Sequence, residues 1–82
     1  MNIHTIERSD NFKKTYQKLP SLVKKKFEKQ LNFLLGDIRY PSLRAKKQSG
    51  TADIWEARVD RSSRFTFIIV NDVIRLLLIG SH

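Results

Sequence analysis

Four residues toward the carboxyl end carry the chemistry this chain has to offer: Glu56, Arg58, Arg64 and His82. Arg58 and Arg64 are planar, forked cations of the kind that grips phosphate oxygens in pairs. His82 has an unperturbed pKa near 6.5, which suits proton transfer at neutral pH. Glu56 is either a base or a salt-bridge partner that orients Arg58. The set suits phosphodiester chemistry without a metal. Cleavage of RNA by its own 2′-hydroxyl needs a base for that proton, cations for the phosphorane oxygens and an acid for the leaving 5′-oxygen. The plainer alternatives are a surface cation beside Glu56 or Asp60 for each arginine, and a terminal residue without a task for His82.

What brings these residues together is a meander of three strands from Ile54 to the chain end. Asn71-Asp72 is a two-residue hairpin turn in which both residues tolerate positive φ. It sets Val70 opposite Val73, Phe67 opposite Leu76, Thr66 opposite Leu77 and Arg64 opposite Ile79. An odd-length loop, Arg61-Ser62-Ser63, pairs Asp60 with Arg64 and Val59 with Phe65. An even loop would mix the two faces, which a half-buried sheet resists. This register predicts a core face of Trp55, Ala57, Val59, Phe65, Phe67, Ile69, Ile74, Leu76 and Leu78. The opposite face then carries Glu56, Arg58, Arg64, Thr66 and Arg75 among Ile68, Val70, Leu77 and Ile79.

Upstream, His4 to Glu7 reads as a first strand that joins the same sheet. Ser9 is an N-cap, followed by Asp10 at the helix dipole and a stripe of Phe12, Tyr16 and Leu19. Pro20 separates this helix from a second, Ser21 to Leu35, whose stripe is Val23, Phe27, Leu31 and Leu34 and whose C′ residue is Gly36. Asp37 to Asp53 reads as a connector without periodicity; it holds Arg39, Arg44, Lys46 and Lys47, and loops of more than about a dozen residues are usually functional or disordered. The expected order is β-α-α-β-β-β, an α+β fold with a helical hairpin on one face of a small, mainly antiparallel twisted sheet.

Composition limits the function classes. The 82 residues fit one domain, 1–82, near the lower size limit for a core without staples. Without a single cysteine, disulfides and thiolate metal sites are excluded. Gly36, Gly50 and Gly80 are too far apart to form a phosphate-cradling loop, and two histidines at opposite ends argue against zinc. The amino end lacks the apolar stretch of a signal peptide, and no apolar run approaches the roughly 18 residues of a membrane span, so a cytoplasmic protein is expected. Sixteen Lys and Arg against eight Asp and Glu give a formal charge of +8, which points to a polyanionic partner, most commonly nucleic acid.

The order of elements resembles that of the RelE/ParE superfamily of toxins from toxin–antitoxin systems. The likeness covers essentially the whole chain. It is carried by Tyr-Pro-Ser-Leu-Arg-Ala-Lys-Lys-Gln-Ser-Gly (40–50), Ile-Trp-Glu-Ala-Arg-Val (54–59), Ser-Arg-Phe-Thr-Phe (63–67) and Ile-Gly-Ser-His (79–82). The resemblance implies a ribosome-associated endoribonuclease that cuts messenger RNA, works without a cofactor and is silenced by a cognate antitoxin. The alternatives it carries are a ParE-like inhibitor of DNA gyrase and an inactive relative that only binds antitoxin. In RelE-like toxins a phosphate-contacting arginine opens the third strand, and that position falls on Arg64. The basic residue on the preceding strand falls on Arg58, and the histidine after the last strand on His82. Basic loop residues that reach RNA correspond loosely to Lys46 and Lys47, with Arg44 and Arg61 as further RNA-contact candidates. Ile68, Val70, Leu77 and Ile79 would be covered by an acidic segment of the antitoxin. The chain departs from the pattern in two places. A loop carboxylate used as a base in some branches is replaced by Arg44-Ala45-Lys46-Lys47, and the residues that follow the histidine in many relatives are missing.

Overall fold

A computed structural model describes residues 5–48, 50 and 53–81. The order is β1 (Thr5–Arg8), α1 (Asp10–Gln17), α2 (Ser21–Gly36), a 3-10 turn (Pro41–Leu43), β2 (Lys46–Lys47), β3 (Trp55–Arg58), β4 (Ser63–Val70) and β5 (Val73–Ser81). One five-stranded mixed sheet runs β1-β5-β4-β3-β2, with β1 parallel to β5 and the other pairs antiparallel. Two helices on one face of this sheet make the α+β architecture expected from the sequence.

The helices form where the chain offers caps and apolar stripes. The Ser9 hydroxyl accepts the Phe12 N–H at 3.1 Å, starting α1. Pro20 caps α2 through its extended backbone, φ −60° and ψ 151°, without a side-chain bond. Phe12 from α1 and Phe27, Leu31 and Leu34 from α2 are buried against Phe65 and Phe67 of β4 and Ile74 and Leu76 of β5. The rings interlock: Phe27 meets Phe12 at 5.4 Å and Phe65 edge-on at 5.0 Å. Burying each such side chain stabilises the fold by about 1.5–3 kcal/mol relative to leaving it in water. Arg8 closes one end, with its guanidinium 5.3–5.8 Å from the rings of Phe12, Tyr16 and Phe27. Glu28 holds that arginine at 3.4 Å and accepts the Tyr16 hydroxyl at 2.8 Å.

The structure differs from the sequence reading in five respects. The first strand is described over Thr5–Arg8 and ends one residue later than expected, and His4 lies outside the described residues. The connector contains a strand, since Lys46 and Lys47 pair with Glu56 and Trp55. Gly36 is the last helical residue rather than a left-handed C′, and Asp37 follows in extended backbone at φ −161°. The pairing of β3 with β4 is Arg58 with Arg64 and Ala57 with Phe65, two residues away from the expected register. The tight loop is Val59–Ser62, closed by the Asp60 carboxylate, which accepts the Ser62 and Ser63 N–H groups at 2.9 and 2.8 Å. A shift of two keeps every side chain on its face, so Trp55, Ala57, Phe65 and Phe67 still point to the core.

The fifth difference changes faces. Val70↔Val73 and Phe67↔Leu76 pair as expected, but a bulge between Thr66 and Phe67 then sets Thr66 opposite Leu78 and Arg64 opposite Gly80. Leu77 is the extra residue. Leu78 therefore turns out to 49% exposure, while Ile79 enters the core at 4%. The helix α1 accommodates the bulge where β1 has ended: the Ser9 hydroxyl donates to the Leu77 carbonyl at 3.1 Å, and the Ile79 N–H donates to Thr15 Oγ1 at 3.3 Å.

Candidate functional site

Antiparallel pairing of β3 and β4 places two guanidiniums side by side, because Arg58 stands directly opposite Arg64 on the face away from the helices. Like charges in that relation repel. Glu56, two residues back on β3, relieves one of them: its Oε1 lies 3.6 Å from Arg64 Nε, with both side chains no more than about a quarter exposed. Its Oε2 accepts the Gln48 side-chain amide at 3.4 Å. Glu56 is thus a salt-bridge partner, and the arginine it orients is Arg64 rather than Arg58.

Arg58 has no such partner among the described residues. Its Nε is buried without a hydrogen bond among the described residues. Loss of hydration, then the charges of Arg44, Arg64 and Arg61, push its pKa below the ordinary guanidinium value. A guanidinium with one buried nitrogen left unpaired and with cations for neighbours is held in an unfavourable state that an anion would relieve.

The connector completes the cleft. The 3-10 turn ends on Arg44 in the left-handed region, φ 47° and ψ 43°, with its N–H on the Pro41 carbonyl at 3.3 Å. A non-glycine residue there is strained by about 1–2 kcal/mol. Lys46 follows on β2 opposite Glu56. Arg44, Lys46, Glu56, Ala57, Arg58 and Arg64 line a cleft of about 210 Å³ with four cations and one carboxylate. The cleft can bind a phosphate bidentately from more than one side.

One positioning residue has no counterpart in the sequence reading. Gln30 of α2 is 7% exposed, and its amide donates to the Arg58 carbonyl at 2.8 Å and the Ser42 carbonyl at 3.0 Å. The Ser42 hydroxyl donates back to Gln30 Oε1 at 3.0 Å. This single side chain fixes the 3-10 turn that presents Arg44 to the end of the strand that presents Arg58. The signal was available: Gln30 lies three residues after Phe27 and four before Leu34, a polar side chain within an apolar stripe.

The remaining expected residues divide. Arg61, on the Val59–Ser62 loop, lines a separate cavity that also reaches Arg58. Lys47 is turned away from the cleft, with its ammonium 5.6 Å from the Trp55 ring and 4.0 Å from the Asp53 carboxylate. His82 lies outside the described residues. Ile68 and Val70 line a shallow hollow with Glu7, Val73 and Arg75, and Val70 is 56% exposed. Leu77 is half-buried at the bulge, and Ile79, expected on the outer face, is a core residue; exposed Leu78 takes its place. Among the described residues no three His, Asp or Glu side chains gather as a metal ion would require. None of the described helices is long and apolar enough to cross a membrane.

No family model matches the sequence, and no curated protein matches it at sequence level. Solved structures do match in fold. The chain is similar to RelE in the intact RelBE toxin–antitoxin complex of E. coli, with a TM-score of 0.78 at 20% identity, covering 96% of each chain. It is also similar to the archaeal RelE–RelB complex of Pyrococcus horikoshii, at TM-score 0.77 and 19% identity over 96% of this chain and 94% of that one. A YoeB/ParE toxin from Agrobacterium tumefaciens superposes at TM-score 0.83 with 12% identity, over 96% of this chain and 99% of the other. The chain has the fold of RelE/ParE-superfamily toxins.

Proposed function

We propose that this chain is the toxin of a toxin–antitoxin module and acts as a ribosome-associated, metal-independent endoribonuclease on messenger RNA. The observation that carries this reading is Arg58: a buried guanidinium nitrogen without an acceptor among the described residues, paired across the sheet with Arg64, at the edge of a cleft with four cations. Such an arrangement stabilises a phosphate better as negative charge builds on its oxygens, which favours the phosphorane over the ground state. Arg58 and Arg64 hold the scissile phosphate, Glu56 keeps Arg64 aimed, and Arg44 and Lys46 hold the neighbouring backbone. His82 takes the proton from the attacking 2′-hydroxyl and returns it to the leaving 5′-oxygen. An antitoxin of the RelB kind, as in the E. coli and P. horikoshii complexes, silences the chain by covering the cations and the apolar residues Ile68, Val70 and Leu78.

Primer extension on messenger RNA after brief expression, and in a purified system with and without ribosomes, tests the reading. Ribosome-dependent cuts are expected. Arg64→Ala lowers the cleavage rate about 10²–10³-fold, the effect of removing one transition-state donor. His82→Ala lowers it about 10²–10⁴-fold. Intact message accompanied by gyrase-trapped DNA breaks replaces the nuclease with a gyrase inhibitor. Intact message without breaks leaves an antitoxin-binding protein.

A further inference from the structure

Beside the phosphate cleft lies a larger cavity, about 500 Å³, whose walls come from α2, the 3-10 turn and the Val59–Ser62 loop. It is within the size range of small-molecule sites. Two aromatic rings stand on one wall, Phe33 and Tyr40, stacked nearly parallel at 4.0 Å and 10°. Tyr40 is 41% exposed even with one ring face against Phe33. Lys29 extends over the Phe33 ring at 5.9 Å, and Arg61 enters from the opposite loop. The cavity also contains Asp60, whose carboxylate is engaged by Lys26 at 3.7 Å and by the Ser62 and Ser63 N–H groups. Lys29 and Arg61 have no ion-pair partner among the described residues. Arg58 lines this cavity as well as the cleft, so one guanidinium is common to both.

Resting on the nuclease reading, we propose that this cavity is a second nucleotide subsite, in which a base of single-stranded RNA stacks on Tyr40 while Lys29 and Arg61 hold its phosphate. A flat aromatic face beside unpaired cations is the combination that binds single-stranded nucleic acid without regard to base identity. The stack on Phe33 keeps the Tyr40 ring from rotating away, and Gln30 and Ser42 give the cavity a polar floor. Continuity through Arg58 sets the direction: the strand passes from the cleft at Arg64, around Arg58, to Tyr40. An acidic peptide would use the same cations but would gain less from the stacked ring.

The test is a nuclear magnetic resonance titration of the isotope-labelled full chain with an uncleavable 2′-O-methyl RNA hexanucleotide, following Tyr40, Lys29 and Arg61. Saturable shifts at all three are expected. Tyr40→Leu weakens the hexanucleotide about 5–100-fold, in the range of a lost base stack, whereas Tyr40→Trp keeps it. An otherwise identical strand that is abasic at the stacked position binds Tyr40→Leu and the parent chain equally. Retained ring resonances of buried Phe27 and Phe65 verify the fold of each variant. No saturable shift at Tyr40, equal weakening of the abasic strand, or a response only to an acidic peptide overturns the subsite. Arg64→Ala separates the two readings: it removes cutting on the ribosome while leaving the Tyr40 response in place. If the parent chain cuts message but Tyr40 does not respond, the subsite alone fails.

Discussion

At the scale of single residues, Arg44 shows how the site is held in tension with the fold. Its left-handed backbone, φ 47° and ψ 43°, is a conformation a glycine would adopt without strain. The strained residue is nevertheless an arginine, and its side chain lines the phosphate cleft. Arg44→Gly removes the strain but adds backbone freedom to the unfolded chain, and these two effects are each about 1 kcal/mol and of opposite sign. Its unfolding free energy should therefore stay within about 0.5 kcal/mol of the parent, whereas Arg44→Ala keeps the strain. Both should cut message at least about tenfold more slowly, if Arg44 supplies charge to the phosphate. Denaturant unfolding beside a cleavage assay checks this, and full activity in Arg44→Gly would remove Arg44 from the site. The guanidiniums were legible as a group because alternation put Arg58 and Arg64 on one face. Which of them Glu56 serves was not legible, since it depends on a register two residues finer than parity can determine.

At the scale of elements, the hairpin of β4 and β5 divides what a hydrophobic pattern can and cannot say. Around Asn71 the ladder runs as the sequence implies, because the two-residue turn fixes the pairing of the strands beside it and Asn71 takes φ 55° there. Beyond Leu76 come Leu77, Leu78 and Ile79, three aliphatic residues of similar size, and no alternation remains to mark the bulge. The information lies instead in α1, where Ser9 and Thr15 supply the groups that the bulged strand needs. The Lys46–Lys47 strand was hidden for a related reason: two lysines carry no apolar alternation, and backbone pairing with β3 alone defines them. Ser9→Ala tests the link between helix and bulge. It removes an N-cap, about 1 kcal/mol, and leaves the Leu77 carbonyl without its hydroxyl donor, about 1–3 kcal/mol if that carbonyl stays dry. A loss of about 1–3 kcal/mol is expected, with faster amide exchange at Leu77 to Ile79. A loss below about 0.5 kcal/mol would mean that the bulge stands without α1.

At the scale of the whole molecule, the formal +8 rests on cations with little free acid to offset them, because much of the acid is already engaged. Glu28, Asp37, Asp53, Glu56 and Asp60 each face a basic side chain within 4.0 Å. Acidification should therefore unfold the chain in two linked ways, by raising the overall repulsion and by removing specific anchors. Asp60 is the anchor with the most structure attached, since it holds the loop between β3 and β4 and neighbours Lys26. The backbone N–H of Ser62 comes first among the causes that hold its pKa below the ordinary 3.8, followed on the lowering side by the N–H of Ser63 and by Lys26, against a partial opposing effect of burial. A depressed carboxylate pKa contributes stability that is fully present above the unfolded value and is lost as pH falls through the lower folded value. The expected result is a thermal midpoint that is flat from neutral pH to about 5 and falls steeply below about 4, because protons bind the unfolded chain first. Asp60→Asn should lower the midpoint at neutral pH and flatten the fall below about 4, since the contribution that acid removes is already gone. Added salt should recover the repulsive part in both proteins and leave most of the difference between them in place, because a part-buried anchor held by backbone hydrogen bonds is screened less than surface charge. Parallel acid curves for the two proteins would assign the whole pH dependence to net charge and deny Asp60 its role in holding the loop that carries Arg61.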